Sequence, residues 1–268
     1  MKLEAEVEQA IRMLSECLRR NKIRFVLIGA RVAEIMIDVT DADGMGYGFR
    51  GTADVDFAIR IDSWSEYHRV IEKLIACGFC KKPGTPEHRL FLGDLPVDII
   101  PYGQNLLKGN TLVWPRSQHE MNMTGFGALF ELAKEETIGK GIRVPILPVP
   151  AAVFSKILAF LDRGFSRDLA DTAYMLAHYE EVSVSERRFE SYVPEDLPYE
   201  VRGALLAGQD LCQLISSADS ERLRPFFERL GHLPDAVVNE GIRASRISPT
   251  DFMDLLSAFG AGLGFPRN

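Results

Sequence analysis

The sequence is poor in several features that would assign it to a special class of protein. It has only four cysteines in 268 residues, and they are scattered along the chain. No apolar run approaches the ~20 residues of a membrane span, and the first residues form a charged amphipathic pattern unlike a secretory leader. A basic excess is also missing, since the formal net charge is −7. These absences predict a cytoplasmic protein with free thiols and no membrane partner, in which any nucleic-acid contact depends on a local patch.

The composition that remains is that of an ordinary globular protein. Hydrophobic residues make up 46% and charged residues 26% of the chain, which excludes wholesale disorder. The length suits a core domain with a smaller appended domain. Strand and helix patterns alternate up to about residue 148, and only helical patterns follow. We therefore predict an α+β domain over residues 1–148 and a helical domain over residues 149–268.

The segment Cys77-Gly-Phe-Cys80 has the spacing of half a zinc site or of a redox pair. The sequence offers no second such motif and no paired histidines nearby to complete four ligands. Packing of these cysteines at the end of a helix is the favoured interpretation.

The most informative segment is Asp54-Val-Asp56, inside a strand pattern predicted over residues 53–61. Residues two apart in a strand point to the same face, so both carboxylates should project side by side. Two such carboxylates repel one another unless a cation neutralises them, and oxygen ligands of this kind suit Mg²⁺. Taken alone, this motif is also common in solvated loops.

A third acid, Asp98, lies in the apolar strand pattern of residues 96–100. A charge in such a strand is costly unless it faces a site or a partner. Two alternatives remain: Asp98 lies at an exposed strand end, or it pairs with Arg89 across a hairpin. Three acids on neighbouring strands could hold two Mg²⁺ ions.

Two further groups fit a phosphate ligand. The strand pattern of residues 25–28 runs into a helix at Gly29-Ala30, where backbone N–H groups could bind phosphate, although a tight turn without a ligand is the alternative. Farther along, basic and acidic residues recur at helical spacing, which predicts cations that grip a triphosphate or, equally, an exposed helix face with internal ion pairs. The residues of this second group are Lys156, Arg163, Arg167, Asp168 and Asp171.

In this order of motifs, the chain resembles the DNA polymerase-β-type nucleotidyltransferase superfamily and, more narrowly, the AbiEii-type nucleotidyltransferases, the toxins of bacterial abortive-infection and toxin–antitoxin systems. The resemblance covers about residues 25–175. It implies a mixed β-sheet flanked by helices, with a helical C-terminal domain that completes the nucleotide site. It also implies roles for individual residues: metal ligation and catalysis by Asp54, Asp56 and Asp98, and nucleotide binding by Gly29, Ala30, Lys156, Arg163 and Asp168.

The function implied is Mg²⁺-dependent transfer of a nucleoside monophosphate from a nucleoside triphosphate to a hydroxyl acceptor, with release of pyrophosphate. The acceptor is an RNA end, a protein or a small molecule of the aminoglycoside type, and a toxin role would bring an antitoxin partner. The alternative is a catalytically silent nucleotide-binding module of the same fold. Two departures from the family pattern bear on efficiency and substrate choice: Ala30 replaces a glycine or serine, and a glycine-rich loop at residues 41–49 lengthens the segment before Asp54.

Overall fold

The computed structural model describes residues 4–37, 51–179, 186–190 and 193–266. The glycine-rich segment 41–49 lies outside these described residues. The chain divides into two compact units: the first joins Met1–Ile35 to Thr52–Leu147, and the second joins Met36–Gly51 to Pro148–Asn268. That the second unit completes a nucleotide site stays a prediction.

The elements up to residue 147 include both strands and helices. In chain order they are α1 (Ala5–Arg20), β1 (Arg24–Ile28), α2 (Arg31–Met36), β2 (Val55–Arg60), α3 (Trp64–Ala76), β3 (Arg89–Leu92), β4 (Leu95–Tyr102), β5 (Leu107–Lys108), β6 (Thr111–Val113), β7 (Glu120–Asn122), α4 (Phe126–Leu132), β8 (Lys134–Ile138) and β9 (Ile142–Ile146).

Six of these strands form a mixed sheet in the order β3-β4-β2-β1-β9-β8. β2 runs parallel to β4 and β1 runs parallel to β9, whereas β1–β2, β3–β4 and β8–β9 are antiparallel. A second, three-stranded sheet joins β5, β6 and β7. This strand order places β2 and β4 inside the sheet, where both of their faces can be covered.

The central strands β2 and β4 are largely apolar and buried, so a carboxylate within either strand is unusual. In β2, Val55, Phe57 and Ile59 have no solvent exposure, and Ile99 of β4 has none either. α1 packs on this sheet, contacting β1, β4 and β9. α3 begins with Ser63 as its cap, whose Oγ accepts a hydrogen bond from the Glu66 N–H.

The elements after residue 147 are helical. They are α5 (Val149–Arg163), α6 (Ser166–Ala177), α7 (Tyr199–Leu214), α8 (Ser217–Glu221), α9 (Arg224–Arg229), α10 (Asp235–Ser245) and α11 (Pro249–Gly262). α11 packs against α7, and α6 contacts both α5 and α10. The predicted α+β class, with a mixed sheet flanked by helices and a helical C-terminal part, is confirmed.

Two details differ from the sequence prediction. The strand predicted over residues 53–61 is shorter, because β2 begins at Val55 and leaves Asp54 just before it. The short strands β5 to β8 and the helix α4 have no counterpart in the sequence prediction. Across the described residues, we find no helix that combines the length and the apolar character needed to cross a membrane.

Candidate functional site

The register of β2 and β4 brings three carboxylates together in the first unit. Asp56 of β2 is the direct partner of Asp98 of β4 in the parallel ladder, so their side chains share one face of the sheet. Asp54 lies two residues before Asp56. One carboxylate oxygen from each of the three lies within 4.8 Å of the others. We call these residues the three-acid cluster.

Asp54 is oriented by groups from its own segment and from α2. The Thr52 hydroxyl donates a hydrogen bond to Asp54 Oδ1 at 2.6 Å. Arg31, which is almost fully buried, donates from Nη2 to the Thr52 carbonyl at 2.7 Å and from Nε to the Asp54 carbonyl at 3.3 Å. Arg31 also forms an ion pair with Glu34 on α2. The backbone before β2 is thereby fixed to the first helix after β1.

Asp98 is held from the neighbouring strand by Arg89, its antiparallel partner in β3. Arg89 Nε donates to Asp98 Oδ1 and Nη2 donates to Oδ2, both at 2.7 Å, in the two-pronged geometry of the strongest ion pairs. The same Nη2 lies 3.3 Å from Asp54 Oδ2. The sequence alternative in which Asp98 pairs with Arg89 is therefore realised together with the cluster of acids.

His88 also borders the cluster, with Nε2 at 3.6 Å from Asp98 Oδ2. Burial lowers the pKa of His88, against the opposing effect of the Asp98 charge. The imidazole is therefore expected to be neutral at neutral pH.

Gly29 lies directly against the three-acid cluster. Its φ of +80° belongs to the left-handed region that favours glycine, and a Cβ atom at this position would lie 2.0 Å from Asp56 Oδ2. Only a residue without a side chain allows the Asp56 carboxylate to approach this closely. Ala30, the next residue, is buried just before α2.

The cluster has the donor set of a Mg²⁺ site. All its donors are carboxylate oxygens, which hard divalent ions prefer, and one oxygen of each acid lies within 4.8 Å of the others. Side chains of Asp54 and Asp98 are 31% and 8% exposed, so the cluster is open on the Asp54 side. The residues present fit divalent ions, and their role as ligands stays a prediction.

The remaining predicted nucleotide-binding residues form a separate group in the second unit, where α5 packs on α6. Lys156 Nζ lies 2.7 Å from Asp171 Oδ2 and 3.4 Å from Asp168 Oδ1. Arg163 donates from Nε and Nη2 to the two oxygens of Asp168, each at 2.7 Å. Both acidic side chains are fully buried. We call these four residues the helical cluster. Its members form ion pairs with one another, as one of the two sequence interpretations predicts, but its acids are buried and do not lie on an exposed helix face.

Some of these contacts have a local signal in the sequence, and others have none. An acid inside an apolar strand is a local signal, and Thr52 lies two residues before Asp54, a spacing at which hydroxyls bond nearby groups. The contacts of Arg31 with the Thr52 and Asp54 carbonyls carry no such signal, because these partners lie 21 and 23 residues away.

Solved structures that resemble this chain distantly include those of two named proteins. ANT(2″)-Ia, an antibiotic-resistance factor with substrate-regulated conformation dynamics in solution, aligns with 86% of this chain and 96% of its own, at 13% identity and a TM-score of 0.39. The cyclic dinucleotide synthase CdnE of Elizabethkingia meningoseptica, solved with GTP and Apcpp, aligns over 96% and 92%, at 12% identity and a TM-score of 0.26. No protein-family model matches the chain, and no curated protein matches it in sequence. Because both TM-scores are below 0.5, neither likeness is evidence for a role of the three-acid cluster.

Proposed function

We propose that this protein is a nucleotidyltransferase, which moves a nucleoside monophosphate from a nucleoside triphosphate to a hydroxyl acceptor and releases pyrophosphate. The observation that carries the proposal is the three-acid cluster, whose carboxylate oxygens lie within 4.8 Å of one another beside Gly29. The motif resemblance to the polymerase-β-type superfamily supports it, because the same residues occupy the family's acid and glycine positions.

In this proposal the site residues of the first unit have separate roles. Asp54 and Asp56 hold the divalent ions, and Asp98 joins them and helps to remove the proton from the acceptor hydroxyl. When bound, Mg²⁺ supplies activation of that hydroxyl and neutralisation of charge on the leaving pyrophosphate. Gly29, whose position against the Asp56 carboxylate admits no side chain, would contribute backbone N–H groups at the Gly29–Ala30 turn that donate hydrogen bonds to phosphate oxygens.

The proposed nucleotide contacts of Lys156, Arg163 and Asp168 are less direct. Lys156 and Arg163 already neutralise buried carboxylates within hydrogen-bonding distance. A lysine that left this group for a triphosphate would leave two buried acids with less neutralising charge, which is costly. We therefore assign Lys156 first to holding α5 and α6 together, with phosphate binding as a secondary role.

Two observations favour different classes of acceptor. The acidic net charge of −7 favours a cationic small molecule over RNA, whose phosphates would need a basic surface. The resemblance to AbiEii-type toxins favours RNA or a protein and implies an antitoxin partner and a cytoplasmic location.

The test is transfer of label from each of the four α-labelled nucleoside triphosphates in the presence of Mg²⁺, with total RNA, a protein extract or an aminoglycoside as acceptor. Label should move to one acceptor class with the wild type, and transfer should be lost in Asp54→Ala and Asp56→Ala. Asp94→Ala is the matched control, because Asp94 is an exposed acid of the same unit at the β3–β4 turn. Retention of transfer in the Asp56→Ala variant contradicts the proposal. Binding of nucleotide without transfer to any acceptor would favour the catalytically silent module.

A further inference from the structure

Arg89 occupies a position at the three-acid cluster that metal ligation alone does not explain. Its guanidinium engages both oxygens of Asp98 at 2.7 Å and lies 3.3 Å from an oxygen of Asp54. One cation thus joins two of the three acids, one on β4 and one on the segment before β2.

The Arg89 guanidinium keeps its charge at any pH at which the protein is folded. Its hydrogen bonds to Asp98 raise the pKa of Arg89 above an already high value. A divalent ion bound by the same carboxylates would lie a few ångströms from this charge, and the two cations would repel each other. Asp98 and Asp54 therefore cannot attract Arg89 and a bound metal ion with full strength at the same time.

We propose that Arg89 is a built-in counter-cation of the three-acid cluster, and that a divalent ion binds there in competition with it. The inference rests on the proposed function, because it takes the three acids as the metal site. Arg89 is then a positioning residue: it keeps the acids assembled in the metal-free protein, and it lowers the affinity for the ion.

The place of Arg89 in the fold makes displacement feasible. It lies on β3, an edge strand of the sheet, and its side chain is 28% exposed. The guanidinium can therefore turn toward water on its long flexible stem without opening the core. The Asp98 backbone would stay fixed, because β4 is hydrogen-bonded to β2 and β3 on its two sides.

The experiment is calorimetric titration of the nucleotide-free protein with Mn²⁺, which serves as the probe for divalent ions. Arg89→Met removes the charge while keeping most of the apolar stem, and Arg89→Lys keeps the charge without the fork. We expect Arg89→Met to bind Mn²⁺ roughly tenfold more tightly than the wild type, and Arg89→Lys roughly threefold more tightly. Without metal, the midpoint of thermal unfolding of Arg89→Met should fall, and Mn²⁺ should restore it. Arg24→Met is the matched control, because Arg24 forms an exposed ion pair with Glu131 in the same unit; its Mn²⁺ affinity should equal that of the wild type.

Three results would overturn the inference. Equal or weaker Mn²⁺ binding by both Arg89 variants would show that Arg89 does not compete with the ion, while the metal site stands. If Arg89→Met fails to fold, an unchanged affinity in Arg89→Lys alone has the same meaning. Absence of Mn²⁺ binding in the wild type and both variants would contradict the metal site and the inference together. Because the titration contains no nucleotide, failure of the transfer reaction would leave a positive result intact.

Discussion

In the strand-rich unit one guanidinium, that of Arg89, lies 2.7 Å from Asp98 and 3.3 Å from Asp54, whereas in the helical unit Asp168 and Asp171 each lie 2.7 Å from a cation of their own. The side chains of the helical pair are fully buried, while that of Asp54 is 31% exposed. From spacing alone, both groups of charges suggested contacts to a metal–triphosphate substrate. The structure divides them into an open group and a closed one.

This difference distinguishes charged residues that bind a ligand from charged residues that stabilise the fold. Acids that are crowded and partly exposed gain free energy when a cation arrives, so their natural role is to bind one. Acids that are buried and fully paired gain little from a ligand and lose much when a partner is removed. The free energy of unfolding of single variants tests this division, from the largest expected change to the smallest.

The largest change is expected in the helical cluster. Asp168→Asn removes a buried charge that faces both Lys156 and Arg163. Breaking a buried ion pair on one side typically costs about 3–5 kcal/mol, so the free energy of unfolding in urea should fall by about that amount. Asp162→Asn is the control, because Asp162 is exposed on the same helix α5, and its effect should stay within about 0.5 kcal/mol. Equal stability of the two variants would show that the helical cluster does not stabilise α5 on α6.

What the sequence could predict follows from how local each signal is. The acids at positions 54, 56 and 98 were found because a carboxylate within an apolar strand stands out over a few residues. The edge strand β8 was missed because most of Lys134–Ile138 is exposed and polar, without the alternation of a half-buried strand.

Contacts between distant segments were the harder part. The strand order, which makes Asp56 and Asp98 direct partners, depends on pairing across 42 residues and has no local signature. The pairing of Lys156 with Asp171 likewise depends on how α5 packs against α6, which helical spacing does not specify. Helical spacing predicts the helix face on which each residue lies, but it does not predict which residues that face contacts.

The second prediction concerns stabilisation of the open cluster by metal. An ion that binds the folded state only, present at 100 times its dissociation constant, should raise the free energy of unfolding by about 2.7 kcal/mol. Urea unfolding in MgCl₂ and in EDTA measures this gain. The gain should vanish in Asp98→Asn, which loses a ligand of the cluster, and persist in Asp94→Asn at the exposed β3–β4 turn. A gain that survives in Asp98→Asn would place the stabilising ion elsewhere.

The third prediction tests the close approach of Gly29 to the cluster. Gly29→Ala places a side chain in the left-handed region, which costs about 1–2 kcal/mol from the backbone alone. The new Cβ would also lie 2.9 Å from Asp56 Cβ, which belongs to β2, so rotation of the carboxylate alone does not relieve the clash. We expect lower stability and weaker Mn²⁺ binding together. Gly84→Ala, at a similar φ of +74° but with open space around it, is the control that should lose stability without losing metal affinity.

The smallest change is expected for Asp54→Asn in metal-free protein. The substitution removes one of three crowded charges, so the relief of repulsion offsets the weaker contacts to Arg89 and Thr52. Because the Asp54 side chain is 31% exposed, solvent screens both effects, and the free energy of unfolding should change by no more than about 0.5 kcal/mol. The same variant should bind Mn²⁺ poorly, so a ligand role is visible in affinity and not in stability. A loss of stability as large as that of Asp168→Asn would mean that Asp54 is a structural charge, and the division between an open and a closed cluster would fail.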